Sequence, residues 1–188
     1  MPVTTLDPKT ALIVIDLQKG IAALATAHLM QYVVGHSAAL AEAFRARGLP
    51  VVLVNVAAGA PGRTEQAPRA TGDFPPDFTE LLPELNQQPS DHVVTKRTWG
   101  AFTGTGLEAW LRGQGVTQVV ITGVATSIGV ESTARQAHEA GFNVTLAVDA
   151  MTDLRAEAHE NSLAQIFPRL GETGKTDEIL ALLEASRA

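Results

Sequence analysis

The sequence predicts an α/β protein, a three-layer α/β/α sandwich around a mostly parallel, Rossmann-like sheet. Three observations predict it. Short apolar runs rich in β-branched residues recur at Ala11 to Ile15, Val51 to Val56, His92 to Thr95 and Val119 to Ile121. Stretches with apolar residues at helical spacing separate them, and strands alternating with helices argue for βαβ units. The stretch Val116 to Asp153 reads by itself as strand, Gly-containing turn, helix and strand, a unit that makes its two strands parallel.

Each element has a local reason. Ala11 to Ile15 is a strand closed by Asp16. Residues from about His28 to Arg47 are Ala-rich and carry Leu29, Val33, Leu40 and Phe44 at helical spacing; Gly48 and Pro50 end that helix. Val51 to Val56 is the second strand, and Ala57 to Pro76, with its Gly, Pro and Thr, reads as a long loop. Asp77 to Leu85 suggests a short helix. His92 to Thr95 is the third strand, closed by Lys96. Thr103 to Gln114 reads as a helix capped by Thr103 or Thr105. Val119-Val120-Ile121 suits a strand buried on both faces, ended by Gly123. Thr126 and Ser127 can cap the central helix, which runs to about Ala140 before Gly141. Val144 to Val148 is a strand ending at Asp149, and Leu154 to Phe167 a helix. A short strand near Gly171 to Thr173 and a helix from Thr176 follow.

Composition narrows the function. With 188 residues, 45% hydrophobic and 18% charged, the chain suits one compact domain over residues 1–188. A net charge of −6 without a long basic run argues against nucleic acid or an anionic membrane as partner. The absence of cysteine excludes disulfides, thiolate metal sites and a cysteine nucleophile, and agrees with a cytoplasmic location. No basic segment followed by an apolar core opens the chain, and no apolar run approaches the ~20 residues that span a bilayer.

In parallel sheets, ligands bind beyond the carboxyl ends of the strands. Asp16, Lys96 and the turn Gly123–Gly129 all fall there. A carboxylate and an ammonium on one sheet edge can pair across a pocket and shuttle a proton. Alternatively, Asp16 caps a turn and Lys96 is a surface lysine.

Three motifs sharpen this reading. Val14-Ile15-Asp16-Leu17-Gln18, Lys96-Arg97-Thr98-Trp99-Gly100-Ala101-Phe102 and Gly123-Val124-Ala125-Thr126-Ser127-Ile128-Gly129-Val130-Glu131-Ser132-Thr133-Ala134 resemble the isochorismatase-like hydrolases, in the same order and spacing over nearly the whole chain. That superfamily includes nicotinamidases and N-carbamoylsarcosine amidohydrolases. The resemblance implies a triad of Asp, Lys and Cys. Asp16 and Lys96 match it, and Gly129 stands where the Cys would be.

Glycine has no side chain to attack with, so thiolate catalysis is not available. Ser127 and Ser132 are nearby hydroxyls, as helix-cap and surface residues or as substitutes. The resemblance to the isochorismatase branch, which also lacks the cysteine, implies another chemistry. Asp16 would protonate an enol ether, water would attack the resulting cation, and Lys96 would orient the substrate or support Asp16. N–H groups around Ile128 to Val130 would hold an anionic oxygen, and Gly129 would admit a ring close to the backbone. The resemblance also implies a cis peptide at Val124-Ala125.

Gln18, Phe102, Val124, Ala125, Ile128 and Gly129 are therefore the expected substrate contacts. Gln18 can instead brace the first turn, and Phe102 and Trp99 can pack a helix start onto the sheet. Arg63 and Arg69, in the long loop, can meet carboxylates or stay solvated. The resemblance to nicotinamidases would require Asp-x-His after the second strand; Asn55-Val56-Ala57 stands there instead, so no metal is expected, and no cofactor. A small-molecule substrate and a homo-oligomer, dimer or tetramer, complete the expectation. Three functions follow: a vinyl-ether hydrolase of a small carboxylated substrate, an amidohydrolase using water or serine, and a non-catalytic ligand-binding relative.

Overall fold

The structure is a computed structural model that describes residues 2–60, 62–65 and 74–185. Its centre is β1 (Thr10–Ile15), six residues buried without interruption. Water reaches neither face of such a strand, which is why its sequence is apolar at consecutive positions. After a short α1 (Lys19–Ala22), α2 (Met30–Arg45) leads to β2 (Val51–Val56) and β3 (His92–Lys96). Then come α3 (Leu107–Gly113), β4 (Gln118–Val124), a π-helical turn over Thr126–Val130 and α4 (Glu131–Glu139). β5 (Asn143–Thr152), α5 (Ala156–Asn161), a second π-helical turn (Ser162–Ile166), α6 (Phe167–Leu170), β6 (Glu172–Gly174) and α7 (Thr176–Ala185) complete the chain.

The six strands are parallel, in the order β3-β2-β1-β4-β5-β6. β1 has β2 on one side and β4 on the other, so the chain winds outward from it in both directions. The crevice between β1 and β4 is the switch point where such sheets bind ligands. The register places Ile15 beside Gly123, so Asp16 and the central turn leave the sheet together. Gly123 has φ +115°, and a Cβ there would lie 2.0 Å from the Ile15 carbonyl oxygen. Only glycine lets β4 come this close to β1.

Two apolar layers sandwich the sheet. One joins Ile13, Ile15, Val54 and Ile121 to α3, α4 and α6 through Leu107, Leu111, Ala134, Ala137 and Phe167. The other joins Leu12, Val14, Leu53 and Val120 to α2 and α7 through Val33, Leu40, Phe44, Ile179 and Leu183. Buried Val33, Ser37, Leu40, Ala41 and Phe44 form the helical stripe on α2.

Some boundaries differ from those expected. Leu29 is 61% exposed and outside α2, which starts one residue later. The segment Asp77 to Leu85 forms no helix beyond a single 3₁₀ turn at Pro83–Leu85. Its backbone is instead spent on the first turn: Lys19 and Gly20 donate to the Glu80 and Phe78 carbonyls, and Leu82 donates to Leu17. α3 begins at Leu107, not Thr103, because Gly104 and Gly106 take φ near +70° and +74°. Thr105 still assists, donating to the Ala101 carbonyl at 2.6 Å. α5 begins at Ala156, and β6 is shifted by one residue from Gly171–Thr173.

The correction with the largest consequence is β5. It continues past Val148 to Thr152, through a register shift opposite Ile121/Gly123. Asp149 is therefore inside the strand. Its carboxylate accepts from the Thr176 N–H at 2.8 Å and the Thr176 hydroxyl at 2.9 Å, holding the start of α7. The acid at the strand's end is Asp153, which is buried.

Candidate active site

Asp16 leaves β1 with φ +53°, a left-handed conformation that aspartate tolerates better than most residues. Its N–H donates to the Val54 carbonyl at 2.9 Å, which ties the turn to β2. The side chain is thereby turned under cover, and the residue is 6% exposed. Lys96, at the end of β3, is 2% exposed. Its Nζ lies 2.7 Å from Asp16 Oδ2 and donates to the Thr98 carbonyl at 3.3 Å. Asp16 Oδ1 is buried and has no hydrogen-bond partner among the described residues.

The electrostatics of this pair are unequal. Burial pushes the Asp16 carboxyl up from 3.8 to about 6, and the Lys96 ammonium offsets only part of that rise. The site thus holds a carboxyl that exchanges its proton near neutrality beside a fixed cation. That is the property of a proton donor or acceptor.

The third wall is the turn after β4. The Val124-Ala125 peptide is cis. Val124 puts its side chain into the α2-side core, so it offers the site only backbone. Ala125 and Ile128 are half-buried, and Gly129 is buried. A Cβ built on Gly129 would stand 3.3 Å from Asp16 Oδ2, 3.3 Å from the Val124 carbonyl oxygen and 3.0 Å from Ile15 Cγ2. Residue 129 therefore faces the Asp16 carboxyl directly. The N–H groups of Ile128 and Val130 both donate to the Ala125 carbonyl at 3.1 Å, so they are not open to an anion as expected. The π-helical winding is the cause, since it lets residue 130 reach back five positions.

The cap of this turn is Asp153, which sequence reasoning missed. Its Oδ2 accepts from the Ser127 N–H at 2.7 Å and its Oδ1 from the Arg155 N–H at 3.2 Å. Neither Thr126 nor Ser127 caps the turn with its own side chain. Asp153→Ala removes charge-assisted bonds at two helix starts. It is expected to cost about 1–2 kcal/mol, read as a lower urea midpoint with an unchanged m-value. An unchanged midpoint would remove Asp153 from this role.

Two expected contacts are spent elsewhere. Gln18 is fully buried; its amide donates to the Val56 and Phe78 carbonyls and accepts from the Val56 N–H at 2.7 Å. It braces the turn after β1 and is not open to a substrate. Phe102 packs on the core with its ring 6.1 Å from Phe142, which stands just before β5 at the amino edge of the sheet. It points away from the carboxyl edge. Trp99, 58% exposed on the loop after Lys96, is the freer aromatic. Arg63 is exposed, and Arg69 lies outside the described residues.

Among the described residues, hydroxyl and imidazole groups meet at Thr126–His159 and Thr152–His28, and both hydroxyls belong to fully buried residues. Neither pair involves Ser127 or Ser132. Among the described residues no group of three His, Asp or Glu side chains could hold a metal ion, and no helix is long and apolar enough to cross a membrane.

The model of the isochorismatase domain matches residues 10–178, which contain every element from β1 into α7. The chain belongs to the isochorismatase family. An uncharacterised isochorismatase family protein of Bacillus subtilis is 42% identical over 92% of this chain and 93% of its own length. One from Escherichia coli O157:H7 is 43% identical over 93% and 96%. The structure of an isochorismatase family protein from Burkholderia thailandensis superposes with a TM-score of 0.91 at 43% identity, covering 96% of this chain and 98% of that one. The α/β/α fold and the family are thus those the motifs implied.

Proposed function

We infer that this isochorismatase family protein hydrolyses the vinyl-ether bond of a small carboxylated substrate, with Asp16 as the proton donor. One observation carries the reading: a buried carboxyl held near 6 faces a glycine, so the site can move a proton but has no side chain at that position to form a covalent bond.

The steps balance. Protonated Asp16 gives its proton to the terminal vinyl carbon, and the adjoining carbon becomes an oxocarbenium ion. Water adds to that carbon and returns a proton to Asp16. The hemiketal then collapses, its C–O bond breaks, and pyruvate and an alcohol leave. Lys96, fixed at 2.7 Å, stabilises the Asp16 carboxylate while it is charged. Ala125, Ile128 and Gly129 supply a wall with no charged side chain, which suits a substrate ring. An amidohydrolase route through serine is less well supported, because the structure gives neither Ser127 nor Ser132 an imidazole partner.

A cytoplasmic homo-oligomer belongs to the same reading. Exposed Leu24, Leu29 and Tyr32 lie together in sequence around the start of α2 and suit an interface between copies.

The experiment is pyruvate release from isochorismate by the purified protein. One pyruvate per substrate consumed is the expected result. Ammonia release from a panel of amides, with no pyruvate from isochorismate, would overturn the reading.

A further inference from the structure

Beside the site lies a polar cluster that the proposed mechanism does not use. His159, on α5, is buried, and its Nδ1 is 2.8 Å from the Thr126 hydroxyl at the first position of the π-helical turn. The His28 ring packs on it with centroids 4.7 Å apart, tilted by 60°. His28 comes from the connection between β1 and α2. That connection is fastened to the end of β5: the Ala27 N–H donates to the Asp153 carbonyl at 2.8 Å and the His28 N–H to the Thr152 hydroxyl at 3.1 Å. His28 Nδ1 also lies 3.1 Å from that hydroxyl. Thr152 in turn is in register with Val124, the residue that starts the site's wall. Four pieces of chain therefore meet at one imidazole pair: the β1–α2 connection, the turn after β4, the end of β5, and α5.

The chemistry of this junction depends on charge. A neutral imidazole can accept the Thr126 hydroxyl proton at Nδ1. A protonated one must donate through Nδ1, and the Thr126 proton then has to turn elsewhere. Two charged rings at 4.7 Å would also repel. We propose that His159 is a positioning residue whose charge state is transmitted through Thr126 to the turn Ala125–Gly129, with the His28 ring packed against it as the second member of the junction.

The electrostatics agree in direction. Burial lowers the His159 pKa from 6.5, and His28 lowers it further; Asp153, after β5, and Glu160, on α5 itself, act the other way. The fold thus favours neutral His159. The stability this contributes is present above about 6.5 and is lost as pH falls through the lower folded value. The turn is held in one hydrogen-bonding arrangement at neutral pH and switched in acid. The functional meaning of the proposal rests on Ala125–Gly129 being a wall of the site, but its test needs no substrate.

The test is an NMR titration of histidine ring carbons and backbone amides between pH 4.5 and 8.5, chosen as a range of about two units either side of 6.5. In the unaltered protein, the amides of Thr126 and Ser127 are expected to shift with the midpoint of the His159 ring, below that of an ordinary histidine. Thr126→Val keeps the shape of the side chain and should abolish that coupling. His28→Phe keeps an aromatic contact without charge and should raise the His159 midpoint. Asp16→Asn should leave the amide response in place, which separates it from titration of Asp16. Amides that follow no histidine, a response that survives Thr126→Val, or one that disappears in Asp16→Asn would each overturn the proposal.

Discussion

Asp16→Asn is expected to lower kcat for pyruvate release by about 10²–10⁴-fold, the range supplied by a positioned proton donor. Asparagine keeps the size of the side chain and also tolerates the left-handed backbone at this position, where φ is +53°. The variant leaves the Lys96 ammonium buried without its counter-charge and is expected to be less stable than the parent, so the rates are compared at a temperature where the two circular dichroism spectra coincide. The pH profile provides the sign. A donor works only when protonated, so kcat/KM should fall as pH rises above about 6, the value to which burial lifts Asp16. A rate that instead rises through this value would make the carboxylate a base and remove the vinyl-ether mechanism. A variant retaining full activity would remove Asp16 from the chemistry altogether.

Lys96→Met should have the largest effect on stability. It leaves a buried carboxylate with no cation, and breaking one side of a buried pair costs about 3–5 kcal/mol. The cost depends on pH in a definite direction. Without the ammonium nothing opposes burial, so the Asp16 pKa rises further. A carboxyl raised in the fold contributes its full stability below its unfolded value of 3.8 and loses it as pH rises through the folded value. Lys96→Met should thus be markedly less stable than the parent at pH 8, and the gap should narrow at pH 5, with pH set on either side of 6. The double variant Asp16→Asn/Lys96→Met has no buried charge and should recover most of the loss. Urea unfolding at the two pH values checks this. Equal losses at both, or no recovery in the double variant, would show that Lys96 acts by packing alone.

The sequence made some of this legible and hid the rest for physical reasons. The order of strands and helices could be read because β1, β2 and β4 are buried on both faces and carry unbroken apolar runs. Asp16 could be brought to the carboxyl edge because it directly follows such a run, and Lys96 because it ends the short β-branched stretch Val93-Val94-Thr95, although β3 is exposed at alternate positions. The end of β5 could not, since Val148 and Asp149 are only half-buried and the polar Asp149 looks like a terminus. That hid Asp153, and with it the cap of the central turn. The placement of Phe102 was ambiguous because spacing gives a helix start no preference between the two sheet edges; only contact with Phe142 decides it. Thr126 and His159 are 33 positions apart, and no local pattern joins them. An Asp following an interrupted apolar run, opposite the entry of the preceding helix, was the signal that could have identified Asp153.

The strand order also has a consequence for synthesis. β1 is complete by residue 15, but its partner β4 begins at Gln118, and Thr10 pairs with Gln118 across more than a hundred positions. The middle of the sheet is therefore a long-range contact, of the kind that forms slowly. A nascent chain can bring β1, β2 and β3 together before β4 has emerged from the ribosome, and can even form the Asp16–Lys96 pair. It cannot cover that pair, because Gly123 and Gly129 have yet to arrive. During this interval one edge of β1 stands unpaired, with Ile13 and Ile15 bare on the side later covered by α4. The completed protein shields the buried Asp16 carboxyl with its second half, and the growing chain is most open to mispairing along the edge of β1 that leads to it.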